Sequence, residues 1–356
     1  MKKEGISTLK LAATYIGTIV GAGFATGQEV LQFFARFGID GIYGLILTTL
    51  LFVVFGYIIM VLGKELNVDS HLEIIRYSGG KIIGTLIDII IIFFLFGALT
   101  AMIAGSGALF EQQFQLSSFI GNIVMAIITA LTVLTGISGV INSISFIVPF
   151  LLVSVTGISV YTIMTNPPNI EVTTAIVEES GLISNWALAA ILYISYNTVL
   201  SIAVLGPLGV KARDKKSILF GSILGGLGLG LGSIMIFLAL FGNISEIATL
   251  EVPMIYIAGK ISPFMQIIYA IVLIAEVYTT AVGSLFGFVA RIVDMKDKPR
   301  KGRWTVLLVT VAAFLASQFG FTNLVKYLYP IVGYGGIVLL ICLVYSLYRN
   351  RKLRSL

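Results

Sequence analysis

Charge, cysteine and histidine are what this 356-residue sequence has least of. Only 11% of its residues are charged, against 58% that are hydrophobic. A soluble domain cannot hide that proportion of apolar surface. One cysteine, Cys342, excludes an internal disulfide, and one histidine, His71 in a polar stretch, leaves no His/Cys cluster for a metal. Without a Ser/His/Asp set, metal ligands or a nucleotide-binding motif, no enzyme chemistry is expected and no cofactor is implied. The net charge of +6 comes from basic residues spread over short loops rather than gathered on one face, so no nucleic acid is expected as a partner.

What the chain does have is long apolar runs. Ten segments read as membrane spans, over about 18 residues each or longer. They are 8–35 (broken), 41–63, 83–110, 117–136, 140–163, 184–209, 216–241, 262–292, 303–319 and 324–348. The expected fold class is an all-α polytopic membrane protein with ten transmembrane helices. Residues 1–163 would form a first five-helix repeat, 164–183 (with Pro167-Pro168) an extracellular loop, and 184–356 a second repeat. The segment 244–260 is too short and too charged to span, and reads as a short helical loop over the outer face. Met1-Lys2-Lys3-Glu4 before an apolar run resembles the start of a secretory signal. No clean cleavage site follows it, which favours a retained first span.

Sorting the lysines and arginines orients the chain. With the N-terminus in the cytoplasm, only Arg36, Lys260 and Lys326 fall outside, and all the others fall inside. The expected location is therefore the plasma (inner) membrane, multi-pass, with both termini cytoplasmic. A shift of 178 residues lays Thr100–Ser106 on Tyr278–Ser284, and lays Gly21 near Asn197-Thr198-Val199. Because five is odd, the second copy would enter from the opposite side, the inverted-repeat arrangement of secondary transporters.

The first span contains Gly17, Gly21, Gly23 and Gly27 within eleven residues, followed by Gln28 and Glu29. Glycine costs about 1 kcal/mol per helical position relative to alanine. A mid-membrane break leaves backbone groups that only protein or a cavity can satisfy. The break is therefore a candidate binding site. Thr14-Tyr15-Ile16-Gly17-Thr18-Ile19-Val20-Gly21-Ala22-Gly23-Phe24-Ala25-Thr26-Gly27-Gln28-Glu29 resembles the first-helix motif of the amino acid–polyamine–organocation superfamily, whose members share the LeuT fold. It is most similar to the YkvI-like branch of permeases. The resemblance implies carbonyls of Gly17 and Val20 at a cation site shared with span eight, amides of Gly21, Ala22 and Gly23 receiving a substrate carboxylate, and Thr18 at both. It also implies a break in span six, where relatives place glycine. Here Ser195-Tyr196-Asn197-Thr198-Val199-Leu200-Ser201 has none. Either Tyr196 and Asn197 contribute to the substrate site, with Tyr196 as a lid, or the span is an ordinary helix whose hydroxyls bond back to it.

Other residues carry paired readings. Glu276, at mid-span, shares a helical face with Thr279, Thr280, Gly283 and Gly287. It is a proton carrier or cation ligand with the two threonines, or a structural carboxyl. Na⁺ and H⁺ both remain open as the coupling ion, and no metal beyond such a Na⁺ is expected. Glu29 is an outer gate, or simply complements a helix N-terminus. Asp88 is expected to pair with a basic neighbour such as Lys81. Asn142, Ser143 and Ser145 line an inward pathway or bond between helices. The glycines Gly221–Gly230 mimic a phosphate loop without its strand or lysine and read as close-packing residues. Gly333-Tyr334-Gly335-Gly336, after Pro330, reads as a kink. The function expected is secondary active transport of a small amino-acid-like or organic amine solute, coupled to Na⁺ or H⁺. The rival is a non-transporting receptor or assembly protein of the same fold. The partners expected are a small molecule and the lipid bilayer, with the oligomeric state left open.

Overall fold

A computed structural model describes residues 5–68, 71–135, 140–168, 181–293, 295 and 297–354; the side chains of 140–149 and 349–354 lie outside the description. Asn142, Ser143 and Ser145 belong to that group. Seven helices among the described residues are long and apolar enough to cross a membrane. All ten apolar segments of the sequence are helical.

The first is broken twice. α1 (Thr8–Ile19) stops at Val20, Gly21 is extended, α2 (Ala22–Thr26) follows, and Gly27 at φ 81° turns the chain into α3 (Gln28–Phe33). α4 (Asp40–Leu66) ends on left-handed Asn67. α5 (His71–Phe114) bends at Gly80, whose φ of 73° no helix accommodates. α6 (Ser118–Thr135) and α7 (Val140–Thr165) complete the first half. The second half begins with α8 (Trp186–Lys211), capped by Asn185, and α9 (Lys215–Phe241), capped by Asp214. α10 (Ile244–Ile247) and α11 (Pro253–Ile261) are the short helices expected in 244–260. α12 (Pro263–Ile292) starts on a Ser262 cap with Pro263 in its first turn, and α13 (Pro299–Ser317) follows. α14 (Phe321–Asn323), a π-helical turn over Leu324–Leu328 and α15 (Tyr329–Arg354) end the chain. Pro330 has no N–H to give to the carbonyl one turn back, which accounts for the widened ladder before it. The irregularity thus precedes Gly333–Gly336 rather than falling on them.

Small residues let the backbones meet. A Cβ on Gly63 would lie 2.1 Å from the Gly206 carbonyl oxygen, and one on Gly209 would lie 2.0 Å from that of Met60, so α4 and α8 touch main chain to main chain. On α9, Gly221 and Gly225 receive Leu11 and Tyr15 of α1, while Gly226 and Gly230 receive Val53 and Thr49 of α4. Leu224, Leu227 and Leu231 of α9 stay exposed. The close-packing reading of this glycine run holds.

Polar links gather at two ends. At the N-terminal end, Ile6 donates to the Lys211 carbonyl (2.9 Å) and Arg213 to that of Ile6 (3.2 Å). Lys64 Nζ reaches the Ala212 carbonyl, and Lys215 pairs with Glu65. At the opposite end, Arg36 donates to the Ile183 carbonyl, Asn166 to Gly242, and Gln112 to Val252.

Three expectations need correction. Asp88 pairs with Arg291 of α12, not with Lys81, because one turn of α5 points its carboxylate at that helix. His71 opens α5 and meets the same Arg291 instead of sitting in a loop. Gly283 is exposed, with nothing within 4 Å of where its Cβ would stand, so it does not serve close approach to span one.

Gly209→Leu should therefore lower stability in detergent by about 1–3 kcal/mol, the usual cost of overpacking. Gly283→Ala should leave the melting temperature unchanged or slightly higher. Equal effects of the two changes would refute this account of helix contact.

Candidate functional site

At the break, Ile16 accepts from Val20 N–H (2.8 Å), and Gly21 accepts from Ala25 N–H (3.0 Å). Thr26 Oγ1 donates to the Gly23 carbonyl and accepts from Gln28 N–H. Tyr269 of α12 donates to the Ala25 carbonyl at 2.5 Å. Side chains thus replace the helical ladder over α2. Gln28 Nε2 reaches Thr322 Oγ1 (2.9 Å), which ties α3 to α14. The Thr322 N–H in turn donates to Glu251 (3.2 Å) in the turn ahead of α11, and burial pushes the Glu251 carboxyl above the ordinary range.

Glu29 does not face an open vestibule. It is 7% exposed and folds back so that a Cβ on Gly23 would stand 2.0 Å from its Oε1. Its Oε2 accepts from Tyr196 (2.6 Å) and Tyr193 (3.2 Å) of α8. Around those phenols stand Phe33, Phe94 and Tyr329, each with its ring centroid 5.1–5.8 Å from that of Tyr196. Phe34 and Phe52 close on Tyr193. Among the described residues no cation pairs with Glu29.

On the other side of the break, Thr280 Oγ1 lies 3.9 Å from the Cβ position of Gly21, one turn along α12 from Glu276. Glu276 is 4% exposed and its Oε2 has no partner. Thr279 gives its hydroxyl to the Glu276 carbonyl (3.0 Å), and Thr18 gives its own to Thr14 (2.7 Å). The structure therefore gathers Gly21, Ala22, Gly23, Glu29, Tyr196, Glu276 and Thr280 around one break. Gly17 and Val20 end the helix that enters it.

Span six is continuous. α8 runs through Ser195–Ser201 without a break, and Asn197 Nδ2 bonds back to the Tyr193 carbonyl (2.9 Å). The ordinary-helix reading holds, since no glycine is there to release the ladder. Tyr193 and Tyr329 were not expected at the site. Tyr193 was legible as the residue three before Tyr196, on the same helical face. Tyr329 had no local signal, because only the fold brings α15 to α8.

Burial is lopsided about the break. Every residue from 22 to 36 is buried, whereas Gly17, Thr18, Ile19, Gly21 and Thr280 are partly exposed and Gly283 is fully so.

A multi-pass membrane protein built around such a broken helix has the LeuT fold, and solved structures agree. MhsT in complex with L-phenylalanine superposes with a TM-score of 0.63 over 95% of this chain and 89% of that one, at 16% identity. The inward-facing conformation of Mhp1 gives 0.66 over 94% and 76%, at 11% identity. A manganese transporter of Eremococcus coleocola gives 0.54 at 14% identity, over 95% and 77%. The chain is a homologue of the membrane protein YkvI of Bacillus subtilis (strain 168), 28% identical over 348 residues and 94% of both chains. The YyaD protein of the same organism is also 28% identical, over 94% of this chain and 95% of its own. No family model matches.

Tyr196→Phe leaves the Glu29 carboxylate with one donor in a buried setting, and should cost about 1–3 kcal/mol of stability. The same change made on Glu29→Gln should cost clearly less. A denaturation cycle over the four proteins checks this, and additivity of the two changes would refute the contact.

Proposed function

We propose that this protein is a secondary active transporter that works by alternating access on a small amine-bearing or amino-acid-like solute, coupled to Na⁺ or H⁺. The observation that carries the reading is the break at Val20–Gly21, with the buried carboxylates of Glu29 and Glu276 on its two sides, in a LeuT fold. In this reading the ten helical segments all span, as five plus five in inverted repeat, and both termini lie in the cytoplasm. The gathering of Ile6, Lys64, Glu65 and Lys211–Lys215 at one end, and of Arg36, Gln112, Asn166 and Ile183 at the other, supports that threading.

The break divides the labour. Glu276, Thr279 and Thr280, with the terminal carbonyls of Gly17 and Val20, form the coupling-ion site; the unpartnered Oε2 of Glu276 suits a cation or a proton. The solute occupies the side formed by Gly21, Ala22, Gly23, Thr18, Glu29, Tyr196 and Asn197. The ion draws α1 toward α12, and its loss lets α1 swing on its glycine seat along α9, opening the N-terminal side. The α2–α3 half stays anchored by Tyr269 and Gln28.

Purified protein in liposomes should take up solute when a Na⁺ or pH gradient is imposed, and should lose the dependence on that gradient in Glu276→Gln combined with Thr280→Ala. The ion whose gradient drives uptake identifies the coupling. Uptake that ignores both gradients, or a double variant with unchanged coupling, would refute the mechanism; binding without any uptake would point to a receptor.

A further inference from the structure

We infer that the start of α13 is a binding site for an anionic phospholipid. The lipid phosphate sits at Arg300 and Lys301, and the acyl chains lie along the apolar face that runs on from Trp304. The site goes beyond the transport reading and shares with it only the placement of α13 along the bilayer.

The face is written into one helix. Gly302, Val306, Thr310, Ala313 and Ser317 of α13 are buried against α5, α6 and α12. Arg300, Trp304, Leu308, Val311 and Leu315 stand on the opposite side at helical spacing, and all five are exposed. Trp304 is 60% exposed and Leu308 67%. From Trp304 to Leu315 the helix rises about 16 Å. One leaflet of hydrocarbon is about 15 Å deep, half of a core of about 30 Å. Tryptophan favours the level at which that hydrocarbon meets the headgroups. The stripe therefore has the length of a lipid chain, with its tryptophan at the interface and Arg300 one turn beyond it.

Charge gathers at the same point. Lys298, Arg300, Lys301 and Arg303 place four cations in six residues. All four are exposed, and none of their side chains has an ion pair or hydrogen bond among the described residues. The first turn of α13 carries no acid and no side-chain cap. Asp297, the described acid beside it, has a contact of its own. Other cations at this end are engaged within the protein: Lys64 on the Ala212 carbonyl, Lys215 with Glu65, Arg213 with Asp214 and Arg291 with Asp88.

Two open grooves, of about 470 and 540 Å³, hold the headgroup. Pro299, Arg300 and Trp304 line both; Lys298 and Lys301 complete the first, Arg303 and Leu307 the second. Each groove sets cations beside an apolar wall, which are the two halves of a phospholipid. Basic residues at the end of a span attract anionic headgroups, and arginine meets a phosphate with two parallel donors. A soluble anion gains only from the cations. A zwitterionic lipid brings an ammonium of its own against them.

Tryptophan fluorescence tests this on the full-length protein. Trp186 and Trp304 are the only two tryptophans, so Trp186→Phe leaves Trp304 as a single probe. Brominated phosphatidylglycerol should quench it at least threefold more strongly than brominated phosphatidylcholine at the same low mole fraction. Native mass spectrometry of the wild-type protein in detergent needs no variant, and should retain phosphatidylglycerol at least tenfold more tightly than phosphatidylcholine. Arg300→Gln with Lys301→Gln should lower that affinity at least fivefold. Lys10→Gln with Lys216→Gln, which removes two exposed cations from the same end, should change it less than twofold. Millimolar inorganic phosphate should not displace the lipid, and the melting temperature of each variant reports whether it is folded. Equal quenching by the two lipids overturns the site and leaves α13 in the bilayer, whereas no quenching by either overturns both. An equal loss in the Lys10 and Lys216 variant reduces the effect to diffuse surface charge and overturns the site. Displacement by phosphate, or retention of no lipid, does so too. A lipid preference that holds while liposomes show no solute uptake counts against the transport reading alone.

Discussion

One extended residue, Gly21, sets the terms for the rest of the molecule. Where α1 stops, main-chain groups that a helix satisfies internally must find partners in a low-dielectric interior. Tyr269, Thr26 and the Gly21 carbonyl supply them over α2, and each of those contacts fixes a neighbour in turn. Tyr269 joins α2 to α12, Gln28 joins α3 to Thr322, and Glu29 joins α3 to α8. The broken helix is thus held by three helices distant in sequence. Glycines along α9 seat α1 at Gly221 and Gly225, and Tyr15 of α1 donates its hydroxyl to the Phe52 carbonyl of α4 at 2.7 Å. Both parts of the broken helix are thus tied to other helices by hydrogen bonds, α2 and α3 to α12, α14 and α8, and α1 to α4.

The helices were legible in the sequence because lipid imposes a single local rule. A spanning segment must be apolar, must be long, and must satisfy its own backbone, so composition located the long apolar helices, seven of them long enough to cross a membrane among the described residues, and the break in the first segment. Interruptions were legible only where a residue physically forces them. Gly21 and Gly27 do so in the first segment; Gly80, which bends α5, lies ahead of the span read at 83–110 and was not read as a break. Span six shows the converse: the resemblance implied a break, but the chain lacks the glycine to make one, and α8 runs through. The widened turn before Pro330 was legible as a disturbance near that proline, though not as its position, because the missing N–H acts on carbonyls upstream.

Tertiary partners were legible far less well, for a reason visible in Asp88. Lys81 is near in sequence and sits on the same helix, but it is exposed, whereas Arg291 arrives half-buried from the last turn of α12. The partner that wins is the one that would otherwise be left unpaired in a low dielectric. Glu29 follows the same logic. Read along the chain, it is an acid near a short helix N-terminus. In the fold, two phenols from α8 reach it while α5 and α15 supply rings, and none of those four segments signals the others.

The two buried carboxylates flanking the break differ in the company they keep, and the difference bears on what each can hold. Around Glu276 the groups are hydroxyls and carbonyls: Thr279 on the Glu276 main-chain carbonyl, and Thr280 one turn along α12, facing Gly21. Small oxygen ligands suit a small hard cation or a proton, because short, directional contacts can replace its hydration. Around Glu29 the groups are the phenols of Tyr193 and Tyr196, backed by the rings of Phe33, Phe94 and Tyr329. A single helix break therefore separates two buried carboxyl groups in unlike surroundings, one beside hydroxyls and one beside rings. Coupling in such an arrangement needs no long pathway. Gly23 touches Glu29, Gly21 faces Thr280, and one residue of backbone lies between them.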